Sequence, residues 1–134
     1  VSKQIMPQMI ERGNGHIINI GSTAGKEVYP KGNVYCASKH AVDAITQGMR
    51  IDLNGTGVKV GGINPGLVET EFSEVRFKGD SEKAAKVYQG FEPLKPEDIA
   101  DIIKFVVTRP YHVNIADLIV MCTEQASSTI VDIK

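Results

Sequence analysis

The chain has 134 residues, which fits one domain with a buried core, and its apolar fraction of 42% is ordinary for a globular protein. Its net charge is −1, no two Lys or Arg residues are adjacent, and no apolar run is long enough to span a membrane. We therefore expect neither a nucleic-acid partner nor a membrane partner. The two cysteines, Cys36 and Cys122, have no disulfide or metal-site spacing, and the first residues have no signal-peptide core, which predicts a cytoplasmic protein without a metal.

The first half of the chain predicts helix, strand and helix. Apolar residues at helical spacing indicate a helix at the N-terminus, with a kink or a fresh turn at Pro7. The short β-branched run HIINI (16–20) indicates a buried strand, and a glycine-containing loop follows it. A second helix is predicted over 34–53, with Val34 and Ile45 on its apolar face.

The second half predicts strand, helix and strand. VKVGGI (58–63) indicates a strand, and the NPG after it indicates a turn. A short helix is expected around Glu82–Tyr88, and a longer amphipathic helix is expected from Pro96. ADLIVM (116–121) indicates a third buried strand, and 122–134 is expected to be a mostly polar tail.

This alternation predicts an α/β fold in which right-handed crossovers make the strands parallel. Ligands of such sheets bind beyond the carboxyl ends of the strands. Ser22 directly follows the first strand, and Pro65 and Gly66 follow the second. We therefore expect these residues at one edge of the sheet, together with Tyr35 at the start of the next helix.

Ser22, Tyr35 and Lys39 form a candidate acid–base centre. The pKa of a tyrosine hydroxyl is normally about 10, and a nearby cation lowers it. Tyr35 and Lys39 have i and i+4 spacing, so they are neighbours on a helix and Lys39 can supply that cation. Ser22 adds a hydroxyl that can hold a substrate oxygen. This set predicts proton transfer at an alcohol or carbonyl, although a Tyr-x-x-x-Lys pair also occurs in helices by chance.

Three ordered motifs, INIGSTAG, YCASK and NPGLVETEF, resemble the short-chain dehydrogenase/reductase family. The resemblance extends over the whole chain. TEFSEVRFKGD, LKPEDIAD and HVNIADLIVMCTEQ are similar to the NADP-dependent serine/3-hydroxy acid dehydrogenases of that family. The resemblance implies the C-terminal part of a doubly wound parallel-sheet (Rossmann) fold, with three strands and flanking helices.

The resemblance also implies a role for each motif residue. Tyr35 would be the general acid/base, Ser22 would position the substrate oxygen, and Lys39 would hold the nicotinamide ribose and lower the pKa of Tyr35. The implied cofactor is NADP, with NAD as the alternative. The backbone after the second strand would face the nicotinamide carboxamide. The implied cofactor-binding residues are Tyr35, Lys39, Pro65, Gly66, Val68 and Thr70.

One part of the family pattern has no counterpart in this sequence. Family members begin with a strand and a glycine-rich phosphate loop, and they carry a relay asparagine on the helix before the serine strand. No G-x-G-x-x-G motif stands here between a predicted strand and a helix, and Val1 falls within that preceding helix. We therefore expect 1–134 to be the C-terminal portion of a single Rossmann-fold domain whose N-terminal phosphate-binding half is absent.

Arg76 is the candidate for recognising a substrate carboxylate. The resemblance puts EVRFKGD in a mobile substrate lid, where Arg76 would form a bidentate clamp; a solvated surface arginine is the alternative. Phe72 and Phe77 are expected to pack within the lid, and Cys36 is expected to be a small buried residue.

The sequence thus predicts an oxidoreductase that transfers a hydride between NADP(H) and a secondary alcohol or carbonyl, with a small 3-hydroxy acid such as serine as substrate. A hydrolase built on Ser22 and His40 is disfavoured, because Ser22 is not at the centre of a G-x-S-x-G motif. The remaining alternative is a non-catalytic fragment that acts only as an assembly module. The resemblance implies a homo-oligomer, a dimer or tetramer, because the family packs helices equivalent to 1–12 and 34–53 against a twofold mate.

Overall fold

In a computed structural model of the protein, the structure is described for residues 1–76, 78–80, 82 and 86–134, without the side chains of Glu74 and Arg76. The predicted alternation of helices and strands is confirmed. The helix expected around Glu82–Tyr88 includes residues 83–85, which lie outside the described residues. The described elements are α1 (Ser2–Glu11), β1 (Gly15–Ile20), α2 (Asn33–Asp52), β2 (Val58–Pro65), α3 (Phe72–Arg76), α4 (Pro96–Val107) and β3 (Asp117–Val120).

The three strands form one parallel sheet with the order β1-β2-β3. Gly15 lies opposite Val58 at the start of the first pair, and Gly62 lies opposite Asp117 in the second. This arrangement confirms an α/β fold with part of a doubly wound parallel sheet. Because the strands are parallel, the loops that follow β1 and β2 meet at one edge of the sheet.

Apolar side chains cover both faces of the sheet. On one face, Ile17 and Val60 pack with Leu53, the residue that follows α2, and with methionines of α1 and α2. On the other face, Ile63 packs against Ile99 and Val106 of α4. Burying an aliphatic side chain of this size stabilises a fold by about 1.5–3 kcal/mol. These two cores hold the carboxyl ends of β1 and β2 in a fixed relation.

The two N-terminal helices differ in detail from the pattern-based expectation. Helix α1 runs as one element from Ser2 to Glu11 with Pro7 inside it. Helix α2 buries Cys36, as expected, and Thr46, whereas Val34 is 78% exposed and Ile45 is 57% exposed. The prediction that Val34 and Ile45 lie on the buried face was therefore wrong, whereas Met49 and Leu53 of the predicted face do pack in the core. The buried face of α2 also makes a polar contact with β1: the Asn19 amide donates to the hydroxyl of Thr46 at 2.9 Å.

The C-terminal part of the chain also departs from expectation. Strand β3 was predicted to be buried, but its side chains alternate between exposed and half-buried, because successive side chains of a strand point to opposite faces and Val120 is on the face that packs against α4. The polar tail is an ordered segment: Gln125 forms an antiparallel bridge with Val131, and the Lys134 N–H donates to the carbonyl of Gly90 at 3.0 Å. None of the described helices is long and apolar enough to cross a membrane.

Candidate active site

Ser22 stands at the carboxyl end of β1 and caps a short 3-10 turn, Thr23–Gly25. Its backbone is extended, and its Oγ accepts a hydrogen bond from the Ala24 N–H at 3.1 Å. The residue is buried. Because this contact uses a lone pair of the hydroxyl oxygen, the O–H proton of Ser22 stays available to donate to another oxygen.

Tyr35 and Lys39 lie on the first two turns of α2. The Lys39 Nζ is 5.9 Å from the centroid of the Tyr35 ring and donates to the carbonyl of Ile20 at 3.3 Å. Lys39 therefore links α2 to the end of β1, beside the strand end that leads to Ser22. Burial lowers the pKa of the Lys39 amine below its ordinary value.

The segment after β2 brings α3 against Tyr35. The Thr70 hydroxyl accepts from the Phe72 N–H at 3.3 Å at the start of α3. The ring of Phe72 lies 5.5 Å from the Tyr35 ring, centroid to centroid, at an angle of 43°. The predicted clamp residue Arg76 ends α3, but its side chain lies outside the described structure, as does Phe77.

A cavity of about 690 Å³ opens at this edge of the sheet. None of the described residues that line it carries a charge. The lining includes all the predicted catalytic and cofactor-binding residues except Lys39, whose amine lies beside the Tyr35 ring. Those lining residues are Ser22, Tyr35, Pro65, Gly66, Val68 and Thr70.

An ionic network that the sequence reading missed supports the turn after Ser22. The Lys26 Nζ contacts the Asp43 carboxylate at 2.6 Å and the Asp117 carboxylate at 2.8 Å. Burial alone would lower the pKa of Lys26, but its hydrogen bonds to Asp117 and Asp43 outweigh burial and raise it. The network joins the turn to α2 and β3, which are distant in sequence.

Asn64 extends this network beneath Gly21. Its Nδ2 donates to the Asp117 carboxylate at 2.6 Å, and the side chain is buried. A Cβ atom at Gly21 would clash with the Asn64 Oδ1. The residue before Ser22 must therefore be small for the network to approach the chain so closely.

Two further side chains hold the loop after β2. The Gln125 Oε1 accepts from the Leu67 N–H at 2.9 Å. The Tyr88 hydroxyl donates to the Val68 carbonyl at 2.9 Å and contacts the Ser73 hydroxyl at 2.7 Å. Gln125 had one usable signal in the sequence, because polar residues just after a parallel strand lie at the ligand-binding edge.

Comparison with known proteins places this geometry in a family. Residues 1–81 match the family description "short chain dehydrogenase". The chain is 50% identical over 127 residues to the NADP-dependent 3-hydroxy acid dehydrogenase YdfG of Salmonella typhi, covering 94% of this chain and 51% of the relative. It is 43% identical over 128 residues to the NADP-dependent 3-hydroxy acid dehydrogenase of Schizosaccharomyces pombe, covering 96% and 49%.

Solved structures give the same result. The closed form of a serine dehydrogenase complexed with NADP+ superposes with a TM-score of 0.92 at 48% identity, covering 99% of this chain and 54% of that one. A serine dehydrogenase from Escherichia coli gives a TM-score of 0.74 at 39% identity, covering 93% and 48%. The chain belongs to the short-chain dehydrogenase family. It spans about half the length of the curated relatives it matches.

Proposed function

We propose that this chain carries the catalytic centre of an oxidoreductase that transfers a hydride between NADP(H) and a secondary alcohol or carbonyl. The observation that supports it most directly is the meeting of Ser22, Tyr35 and the loop after β2 around one cavity, with the Lys39 amine beside the Tyr35 ring. The names of the similar proteins favour NADP as the cofactor and a small 3-hydroxy acid such as serine as the substrate.

In the proposed reaction, each residue acts through a stated atom. During alcohol oxidation Tyr35 acts in its phenolate form, and its oxygen takes the proton of the substrate hydroxyl and so becomes a hydroxyl. The O–H of Ser22 donates to the same substrate oxygen and fixes its position. The positive Lys39 amine favours the negative charge that Tyr35 must carry when it acts as a base. A positioned acid–base group of this kind typically accelerates a reaction by about 10²–10⁴-fold.

The residues present fit the nicotinamide end of the cofactor. The cavity volume lies within the usual range for small-molecule sites, about 300–1,000 Å³, and its described lining is uncharged. The loop Pro65–Val68, with no Cβ at Gly66, would face the nicotinamide, and Thr70 and Lys39 would add polar contacts. When bound, NADP(H) supplies the hydride donor or acceptor.

The carboxylate of a 3-hydroxy acid needs a positively charged partner. The described lining of the cavity carries no charge, so this partner must come from a residue beyond that lining. We assign this role to Arg76, whose planar guanidinium fits a carboxylate better than the point charge of a lysine does. Arg76 stands on α3, the element whose Phe72 contacts Tyr35. A clamp on this helix would hold the substrate near the proton acceptor.

Assembly with further copies of the chain is part of the proposal. Helix α2 exposes Val34, Ile45 and Ile51, which are between 57% and 78% exposed. Val34 and Ile45 are eleven residues apart, about three helical turns, so they lie on the same side of α2, where a partner helix could cover both. The same observation favours the second candidate function, an assembly module without catalysis.

An activity assay separates the two candidates. The chain is assayed alone and after fusion to the segment of the Salmonella relative that precedes its matching region, with serine and NADP+ as reactants and NADPH formation as the readout. We expect turnover from the fusion, and we expect Tyr35→Phe to lower it by about 10²–10⁴-fold. Tyr111→Phe is the control, because Tyr111 is an exposed residue outside the cavity whose hydroxyl contacts the chain at the carbonyl of Gly57. A fusion that binds NADP+ yet oxidises no 3-hydroxy acid would favour the assembly module.

A further inference from the structure

Gln125 is buried beneath the loop that follows β2. Its side chain is 5% exposed, and both polar atoms of its amide are paired. The Oε1 accepts from the Leu67 N–H at 2.9 Å, and the Nε2 donates to the Ser127 carbonyl at 3.0 Å. The contact with Leu67 joins two segments that lie 58 residues apart in sequence. This amide is therefore a fixed tertiary contact of the loop.

The neighbouring glycine makes room for this contact. A Cβ atom added at Gly66 would clash with the Oε1 and the Cδ of Gln125 and would lie in tight contact with its Nε2. The conformation of Gly66 does not require glycine, because its φ is not among the positive values. The close approach of the Gln125 amide thus accounts for glycine at position 66.

Backbone pairs hold the loop on both sides of Leu67. The Gly66 N–H donates to the carbonyl of Val120 at 2.7 Å, and the Glu69 N–H donates to the carbonyl of Leu94 at 2.8 Å. Between these points, the Leu67 N–H donates to a side chain instead. The Leu67 carbonyl, which belongs to the next peptide, accepts from the Leu94 N–H at 3.0 Å, so the N–H of the Gly66–Leu67 peptide is the group that Gln125 holds.

We propose that Gln125 is a positioning residue that fixes this peptide for cofactor binding. A trans peptide is planar, so fixing the Leu67 N–H towards Gln125 also fixes the Gly66 carbonyl in the opposite direction. Gln125 lines the same cavity, but both polar atoms of its amide are already paired with the chain, so we assign it a role through the loop. The role in cofactor binding rests on the proposed function, whereas the control of the Leu67 peptide does not.

Hydrogen exchange of the Leu67 amide tests the contact in the chain itself. Gln125→Leu keeps the size of the side chain but removes the acceptor. Loss of a buried hydrogen bond should speed exchange at Leu67 by about 5–150-fold, with little change at the amides of α4. Gln8→Leu, the same change at an exposed residue of α1, is the matched control. Exchange at Leu67 that is unchanged by Gln125→Leu would overturn the proposal.

A second variant keeps the test decisive if Gln125→Leu fails to fold. Gly66→Ala should speed exchange at Leu67 because the added methyl group displaces the Gln125 amide. In a Gln125→Ala background the same change meets no clash, so the two effects should be strongly non-additive. Additive effects would mean that Gly66 and Gln125 act independently, which contradicts the proposal.

Kinetics of the fusion protein then test positioning. Gln125→Leu should raise KM for NADP(H) by about 5–150-fold and leave KM for the alcohol nearly unchanged, because the loop faces the cofactor. A merely structural role would change the amount of active protein and neither KM. If the unchanged fusion is inactive, the proposed function fails while the exchange data still decide the contact. If it is active and KM for NADP(H) stays constant, the positioning role fails alone.

Discussion

Lys26→Met tests whether the ionic network holds the turn that carries Ser22. The change removes a cation that contacts Asp43 at 2.6 Å and Asp117 at 2.8 Å. Neither carboxylate loses every partner, because Asp43 also accepts from Gln47 at 2.9 Å and Asp117 from Asn64 at 2.6 Å. The expected loss is therefore smaller than that of a charge left alone in the interior.

The magnitude follows from exposure. The side chains of Lys26 and Asp43 are 23% and 21% exposed, so this pair should lie above the range of about 0.2–1 kcal/mol measured for fully exposed pairs. The side chain of Asp117 is 45% exposed, so its pair with Lys26 should contribute a few tenths of a kcal/mol. Together these predict a loss of about 1–2 kcal/mol, which lowers the Tm of a domain of this size by about 3–10 °C.

Thermal unfolding followed by circular dichroism measures this effect. Lys3→Met, which removes the same charge from an exposed position on α1, is the control and should shift stability by less than about 0.5 kcal/mol. The raised pKa of Lys26 also fixes the pH dependence: its contribution is present below pH 10.5 and is lost as the pH rises through the folded-state pKa. Equal shifts for Lys26→Met and Lys3→Met would refute the reasoning.

Three further predictions concern substrate, proton and cofactor binding. Arg76→Met in the fusion removes a charge-assisted hydrogen bond and should lower kcat/KM for a 3-hydroxy acid by about 10–150-fold. It should leave kcat/KM for an uncharged alcohol of equal size nearly unchanged. Equal losses on both substrates would place the carboxylate contact elsewhere. The ring nitrogens of His16 are buried without a hydrogen-bond partner among the described residues, and burial, followed by the charge of Lys59, lowers the pKa of His16. Near this pH the unfolded chain then binds more protons than the folded chain does, so acidification through pH 6.5 should lower the free energy of unfolding by up to about 1.4 kcal/mol per pH unit. Urea titrations at several pH values measure this slope. His16→Gln should remove it, whereas His112→Gln, the same change at an exposed histidine, should not. The 134-residue sequence contains no G-x-G-x-x-G motif, so we expect calorimetry on this chain to detect no micromolar binding of NADP(H). A micromolar dissociation constant would contradict this expectation.

Local patterns predicted most of the framework correctly. The β-branched run HIINI gave β1, and Pro96 marked the start of α4, because strand propensity and helix initiation depend on neighbouring residues. The order of the strands also predicted that the loops after β1 and β2 lie at one edge of the sheet, where the structure shows that they line one cavity. Parallel strands deliver such loops to the same edge whatever their detailed contacts.

The features that the sequence did not predict depend on contacts between distant residues. Thr46 lies on the buried face of α2 and pairs with Asn19, 27 residues away, a polar contact that hydropathy does not anticipate. The second carboxylate that Lys26 binds, that of Asp117, is 91 residues away in sequence. Gln125 looked like part of a polar tail, because the Leu67 N–H that binds it comes from another loop.

The close contacts of the Asn64 and Gln125 side chains with glycines should limit which residues relatives of this chain carry at these positions. Asn64 occupies the space of a Cβ atom at Gly21, and Gln125 occupies that space at Gly66. Each pair should therefore vary together, since a smaller residue at 64 or 125 would permit alanine or serine at the matching glycine. A variant library that randomises positions 66 and 125 jointly should recover folded members that single-site libraries lose. The same holds for positions 21 and 64, beside Ser22.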